Sequence, residues 1–228
     1  MPPTPLAWKS VIKHLANCQL CPEMQGPPVV GRGGTVGPSL KPGKSILLVG
    51  QAPGPKEKDA GHPFVWTAGK TLFKWMGRVG VEEAAFRQGA YMAAVARCFP
   101  GKAAKGQGDR KPNRHEIAHC HTHLDAELTL LKPALIVPVG RMAIEKLVEF
   151  NVLDDVVGFL RPVEVPLANG EILKTEMVAL PHPSGLSRYI QGEHGKQRIT
   201  QALELLAAHP AWRQAFPQSH PPTGGEAG

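Results

Sequence analysis

The sequence predicts an α/β fold: a three-layer α/β/α sandwich around a central, mainly parallel four-stranded sheet. Short runs rich in β-branched and apolar residues recur at 45–50, 91–97, 134–139 and 176–181. These runs are mostly apolar, as strands covered on both faces of a parallel sheet are. Stretches with helical spacing of apolar residues separate them, and strand–helix alternation is the pattern of an α/β sandwich.

Taken in order, residues 5–17 suit a helix, with Leu6, Val11 and Leu15 on one face. Residues 22–44 hold six glycines and five prolines and read as a wandering loop. After the first strand, a helix is expected over 67–79, with Thr67 as its N-cap. The helix over 115–131 has the clearest signals. Asn113 and Glu116 make a capping box, and Ile117, Cys120, Leu124, Leu128 and Leu131 form a stripe. Helices over 140–149 and 194–208 complete the set. The segment after Trp212, ending PQSHPPTGGEAG, has the composition of a disordered tail. The expected organisation is one domain over 1–212 and a disordered tail over 213–228.

With 228 residues, 42% hydrophobic and 20% charged, the chain suits a single soluble domain. No apolar run approaches the ~20 residues of a membrane span. The first residues, MPPTPLAWKSVIKHL, lack a secretory signal's apolar stretch, so a cytosolic protein is expected. The net charge is +7, a weak general attraction to polyanions. Lys102, Lys105, Arg110, Lys111 and Arg114 crowd one short segment against a single Asp109. That segment reads either as a solvated loop or as a polyanion contact.

The segment GQAPGPKEKDAGHPFVWTAGKT follows the first strand and ends like a phosphate-binding loop. Such a loop needs G-x4-G-K-[ST] directly after its strand. Here seven residues separate Gly61 from Gly69-Lys70-Thr71, and upstream prolines lack N–H groups. The match fails. What remains is a proline-stiffened turn that suits a flat ligand, with backbone at Gly50, Gln51 and Ala52 and a stacking ring at Phe64. The competing reading makes Phe64 and Trp66 core aromatics.

The chain has four cysteines, Cys18, Cys21, Cys98 and Cys120. Cys18-Gln-Leu-Cys21 can place two thiolates on one metal or cluster. The other two are split by 21 residues, which is not zinc-ribbon spacing. Disulfides are disfavoured without an export signal. Zinc and an iron–sulfur cluster both remain open on these residues. His119, His121 and His123 do not share a helix face and read as exposed polar residues.

GQAPG, Cys98 and HPSGLSR each follow a strand, and ligands of open α/β sheets bind outside the carboxyl ends of strands. Together these pieces resemble the uracil-DNA glycosylase superfamily, in its iron–sulfur bacterial and archaeal families 4 and 5. The resemblance runs from about Cys18 to about Arg198. It rests on C-x2-C, GQAPG with G-x-PF-x-x-x-AG, the second-strand cysteine, the helix cysteine, and HPS followed by Arg188, in that order.

The resemblance implies a [4Fe-4S] cluster on Cys18, Cys21, Cys98 and Cys120, of structural rather than redox use. It implies that Phe64 stacks on an extruded uracil, that His182 faces the base, and that Gly50, Ala52 and Ala94 wall the pocket. Ser184 and Arg188 would grip the DNA backbone, Leu186 would wedge into the vacated stack, and Lys102, Lys105 and Arg110 would meet phosphates. The implied partner is DNA containing uracil or an abasic site, bound by a monomer in a bacterial or archaeal cytosol. Three positions depart from the family pattern. Gln51 stands where family 4 has Glu, Thr67 where family 5 has Asp, and Ala93-Ala94 where family 4 has an Asn. Glu57 and Asp59 are the carboxylates left in the motif. These departures keep open a glycosylase for another deaminated base, such as hypoxanthine, or a non-catalytic binder of damaged DNA.

Overall fold

The computed structural model describes residues 5–31, 43–104, 108–185 and 187–222. Chain order runs α1 (Pro5–Ala16), β1 (Ile46–Gly50), α2 (Pro55–Ala60), α3 (Thr67–Gly77), α4 (Glu83–Gly89) and β2 (Ala90–Ala94). It continues with α5 (Arg114–Leu131), β3 (Leu135–Pro138), α6 (Arg141–Ile144), a 3-10 turn (Leu153–Asp155), β4 (Leu160–Pro166) and β5 (Ile172–Val178). Three helices close the chain: α7 (Arg188–Gln191), α8 (Glu193–Ala208) and α9 (Pro210–Ala215).

The sheet has five strands in the order β2-β1-β3-β5-β4. β2, β1, β3 and β5 are parallel to their neighbours, and β4 pairs antiparallel with β5 at the edge. Because side chains alternate across a strand, Ile46 and Leu48 face one layer while Leu47 and Val49 face the other. The first layer packs α3, α4, α8 and α9 on the sheet. The second packs Trp8 of α1 and Leu124, Leu128 and Leu131 of α5. Among the described residues, no helix is long and apolar enough to cross a membrane.

The three-layer, mainly parallel sandwich is as expected, with one strand more than the four anticipated. β4 was missed because it reads LRPVEVP, carries two prolines and buries only Val163. Proline lacks a ladder donor and is tolerated on such an edge. The last parallel strand lies at 172–178, four residues earlier than expected at its start. The helix expected over 140–149 is a single turn, Arg141–Ile144, followed by turns.

At the N-terminus of α5 the capping box is present, with Asn113 Oδ1 accepting from Glu116 N and Glu116 accepting from Asn113 N. Thr67 is not an N-cap. That position belongs to Trp66, without a side-chain cap, and Thr67 is the first helical residue. Nor does order stop at Trp212. α9 continues to Ala215, and buried Phe216 stacks on Phe86 at 5.7 Å. Residues 223–228 lie outside the described part of the chain.

Candidate active site

The carboxyl ends of β1, β2, β3 and β5 open on one cleft of about 590 Å³. Its lining includes Gly50, Gln51, Ala52, Phe64, Ala94 and His182, brought together from four segments. Past the strand ends, Val95 N donates to Gly50 O (2.9 Å) and Ala96 N donates to Gln51 O (3.0 Å). The Gln51 carbonyl is thereby engaged within the protein.

Phe64 forms one wall. Its φ is +56°, a left-handed conformation uncommon for a bulky residue and held only where surroundings enforce it. Three groups enforce it here. Glu57 Oε1 accepts from Val65 N (3.0 Å) and Trp66 N (3.1 Å). Arg87 donates from Nη1 to Pro63 O (3.0 Å) and from Nη2 to Phe64 O (2.8 Å). Gly69 leaves room for that carbonyl, since a Cβ there would sit 2.0 Å from Phe64 O. Gly69, the glycine that imitated a phosphate loop, is therefore a packing device for the Phe64 turn. The ring itself lies against Gly50, where an added Cβ would be 3.0 Å from Phe64 Cζ. Phe64 is partly buried against the core and lines the cleft with the rest of its surface, while Trp66 is exposed and not a core residue.

His182 faces the cleft on the strand β5 side. Ser184 N donates to His182 Nδ1 at 3.2 Å, so the neutral ring carries its proton on Nε2. Burial pushes the imidazole below its ordinary pKa, which favours the neutral form. Gly140, at φ +85°, lets the backbone after β3 pass against this ring, as a Cβ would lie 3.2 Å from His182 Cβ and Cδ2.

The carboxylates sort differently from expectation. Asp59 is exposed and pairs with Lys58, outside the cleft lining. Glu57 is buried and lines the cleft, and Asp109, from the basic segment, joins it. Both approach Gly54: a Cβ there would be 2.8 Å from Glu57 Oε2 and 3.4 Å from Asp109 Oδ2. Asp109 was passed over in the sequence because it counted as a lone acid among bases.

Ser184 lines the cleft, and Arg188 is exposed at the start of α7. Arg110 also lines it, but Glu116 holds its guanidinium at 2.8 and 2.6 Å. Lys102 is exposed and pairs with Asp109 at 2.7 Å. Lys105 and Leu186 lie outside the described residues. Arg141, which the sequence reading missed, reaches the cleft from α6.

The four cysteines line a separate cavity of about 480 Å³. Cys18 and Cys21 come from the turn after α1, Cys98 from beyond β2, and Cys120 from α5. None of the four is in a disulfide. Burial first, then the neighbouring thiols, pushes Cys98 up to about 12. Four thiolates here would thus need a compensating positive group. Among the described residues, no group of three or more His, Cys, Asp or Glu side chains is drawn together closely enough to hold a metal ion. His123 is buried rather than exposed, with its ring 5.3 Å from that of His14. Burial, then Arg97 and His14, lowers its pKa to about 4. His119 is exposed as expected, and its Nδ1 lies 3.5 Å from Cys21 Sγ. Beside the cavity Arg97 and Glu127 form a fully buried ion pair, and Tyr91 OH donates to Glu127 at 2.6 Å.

The family model of the Uracil DNA glycosylase superfamily matches residues 38–207. The chain is 32% identical over 137 residues to a Type-4 uracil-DNA glycosylase of Pyrobaculum aerophilum, covering 59% of this chain and 61% of that protein. It is 30% identical over 148 residues to one of Archaeoglobus fulgidus, covering 62% and 66%. A third, of Sulfurisphaera tokodaii, is 34% identical over 101 residues, 44% of this chain and 41% of the relative. The chain thus spans about two thirds or less of the length of these relatives. The match covers all five strands and the cleft lining from Gly50 to Ser187, and the chain belongs to the uracil DNA glycosylase superfamily.

Proposed function

We propose that the protein is a monofunctional DNA glycosylase that flips uracil out of DNA and hydrolyses its N-glycosidic bond, leaving an abasic site. The observation that carries this is the pairing of Phe64, locked as a flat wall, with a neutral His182 whose Nε2–H remains a donor on the same cleft. Relatives named as uracil-DNA glycosylases support the choice of base. The activity is that of base excision repair on cytosolic DNA.

Phe64 stacks on the extruded base. As the C1′–N1 bond breaks, its electron pair moves onto the uracil ring and the sugar becomes cationic. His182 donates from Nε2 to the developing anion, as oxyanion-hole donors do. Glu57 places negative charge on the Gly54 side of the cleft, where it favours the cationic sugar, while the charge of Asp109 is met by Lys102. Water adds hydroxide to C1′, and its remaining proton neutralises the uracil anion. Gln51 has no proton-accepting carboxylate, and its amide orients that water.

Cys18, Cys21, Cys98 and Cys120 would hold a [4Fe-4S] cluster. A single zinc needs thiolates at about 2.3 Å from one point, whereas a cubane spreads them around a cage. Through these four residues a bound cluster would supply a structural cross-link between the turn after α1, the end of β2 and α5. It takes no part in bond cleavage.

The test is base release measured beside binding, with oligonucleotides containing uracil, hypoxanthine or an abasic site. Free uracil released in preference to hypoxanthine is the expected result. Tight binding of the abasic strand with no base released would overturn the enzymatic reading.

A further inference from the structure

The cleft has a second aromatic at its mouth that the chemistry above does not use. Trp66 lines the lip two residues after Phe64 and is 50% exposed. The chain's other tryptophans, Trp8, Trp75 and Trp212, are 2%, 8% and 0% exposed. Lys56 Nζ stands 5.5 Å from the Trp66 ring centroid and Lys70 Nζ 5.8 Å. Among the described residues, neither ammonium is in an ion pair with a carboxylate.

A large ring left in water forgoes the stabilisation of burial. Two ammonium groups beside it can each take an anionic oxygen. Both ammonium groups lie over the ring on flexible four-carbon stems, so they can swing to a nucleotide's phosphate while its base takes the ring. This combination is how proteins hold single strands without reading sequence. The placement also selects which nucleotide. A strand with one base on Phe64 must carry its next nucleotide over the lip of the same cleft. In an intact duplex that neighbour stays paired and stacked, so its face is closed to a protein ring.

We propose that Trp66, flanked by Lys56 and Lys70, is a second stacking platform that takes the base adjacent to the extruded one in single-stranded DNA. The assignment of the extruded base rests on the glycosylase reading, while the platform itself is testable without it.

The probe is oligothymidylate free of uracil, with an intact uracil-free duplex as the second arm. Titration of the wild-type protein should quench tryptophan fluorescence saturably, because Trp66 is the exposed fluorophore. By fluorescence anisotropy with labelled DNA, W66L should bind oligothymidylate roughly 5- to 100-fold more weakly, the loss of one base–aromatic stack. W66F keeps a flat ring and should stay within about threefold of wild type. Duplex affinity should be the same for all three proteins. Unchanged oligothymidylate affinity in W66L, or an equal loss on the duplex, would overturn the platform. Loss of single-strand affinity in a protein that releases no uracil would leave the platform standing and sink the glycosylase reading. Uracil release with undiminished W66L binding would do the reverse.

Discussion

Arg87 Nη2 donates to the carbonyl oxygen of Phe64 at 2.8 Å, so a residue of α4 holds the backbone of the cleft's aromatic wall. Glu57 grips the next two amides of the same turn. The wall is thus clamped from both sides in a conformation it would not keep alone. A rigid platform is useful because an extruded base gains most from a ring that need not reorganise.

The clamp should separate from the core of the fold by mutation. Glu57→Ala leaves two backbone N–H groups without their acceptor, a cost of about 1–3 kcal/mol for each that stays buried. Thermal melting should drop accordingly. Kinetics should show both a raised KM for uracil-containing DNA, from the loosened Phe64 wall, and a lowered kcat, from the lost charge facing the cationic sugar. A normal KM in a destabilised Glu57→Ala protein would show that Phe64 holds its place without the clamp.

Gly69→Ala should be a second damaging change at this turn. The new methyl would meet the Phe64 carbonyl oxygen at 2.0 Å, and backbone on both sides prevents an inexpensive escape. The loss should reach about 1–3 kcal/mol or more, read by chemical denaturation. Gly50→Ala is milder, since its methyl meets the ring edge at 3.0 Å. It should leave melting nearly unchanged while weakening uracil release.

His182→Ala should slow uracil release by on the order of 10²–10³ with the fold intact, measured in single turnover. The pH profile follows from the depressed pKa of this ring. Release should hold level from pH 8 down to about 6.5, the ordinary histidine value, and fall only below it. Protonation then puts a hydrogen on Nδ1, where the Ser184 amide now donates. The stability contribution has the same sign. The unfolded chain takes up this proton more readily, so the contribution is present above the ordinary value and is lost as pH falls through it.

Removing Glu127 tests the buried pair beside the cysteine cavity. Glu127→Ala strands the Arg97 guanidinium, of which 1% of the side chain is exposed, and should cost about 3–5 kcal/mol. Cys98→Ala should lower bound iron and the visible absorbance of the purified protein. A colourless wild-type protein containing zinc and no iron would overturn the cluster.

The parallel strands and the capped helix α5 were legible because periodicity and capping are local properties of the chain. GQAPG, HPS and the four cysteines were legible because each motif keeps its residues within a few positions. Edge strand β4 was not, since its two prolines hide a pairing that only β5 reveals.

By itself, the sequence determined the layer architecture, the position of the motifs at strand ends and the set of thiols available to one cavity. Tertiary structure alone decided which charges serve the cleft. Asp59 turns to Lys58, Glu57 turns inward to amides eight and nine residues on, and Asp109 arrives from the far segment. It also decided that Arg110 is spent on Glu116 and that Trp66 stands in solvent between two lysines. The reason is physical. A side chain's chemistry depends on the dielectric and the partners around it, and both are set by residues distant in sequence.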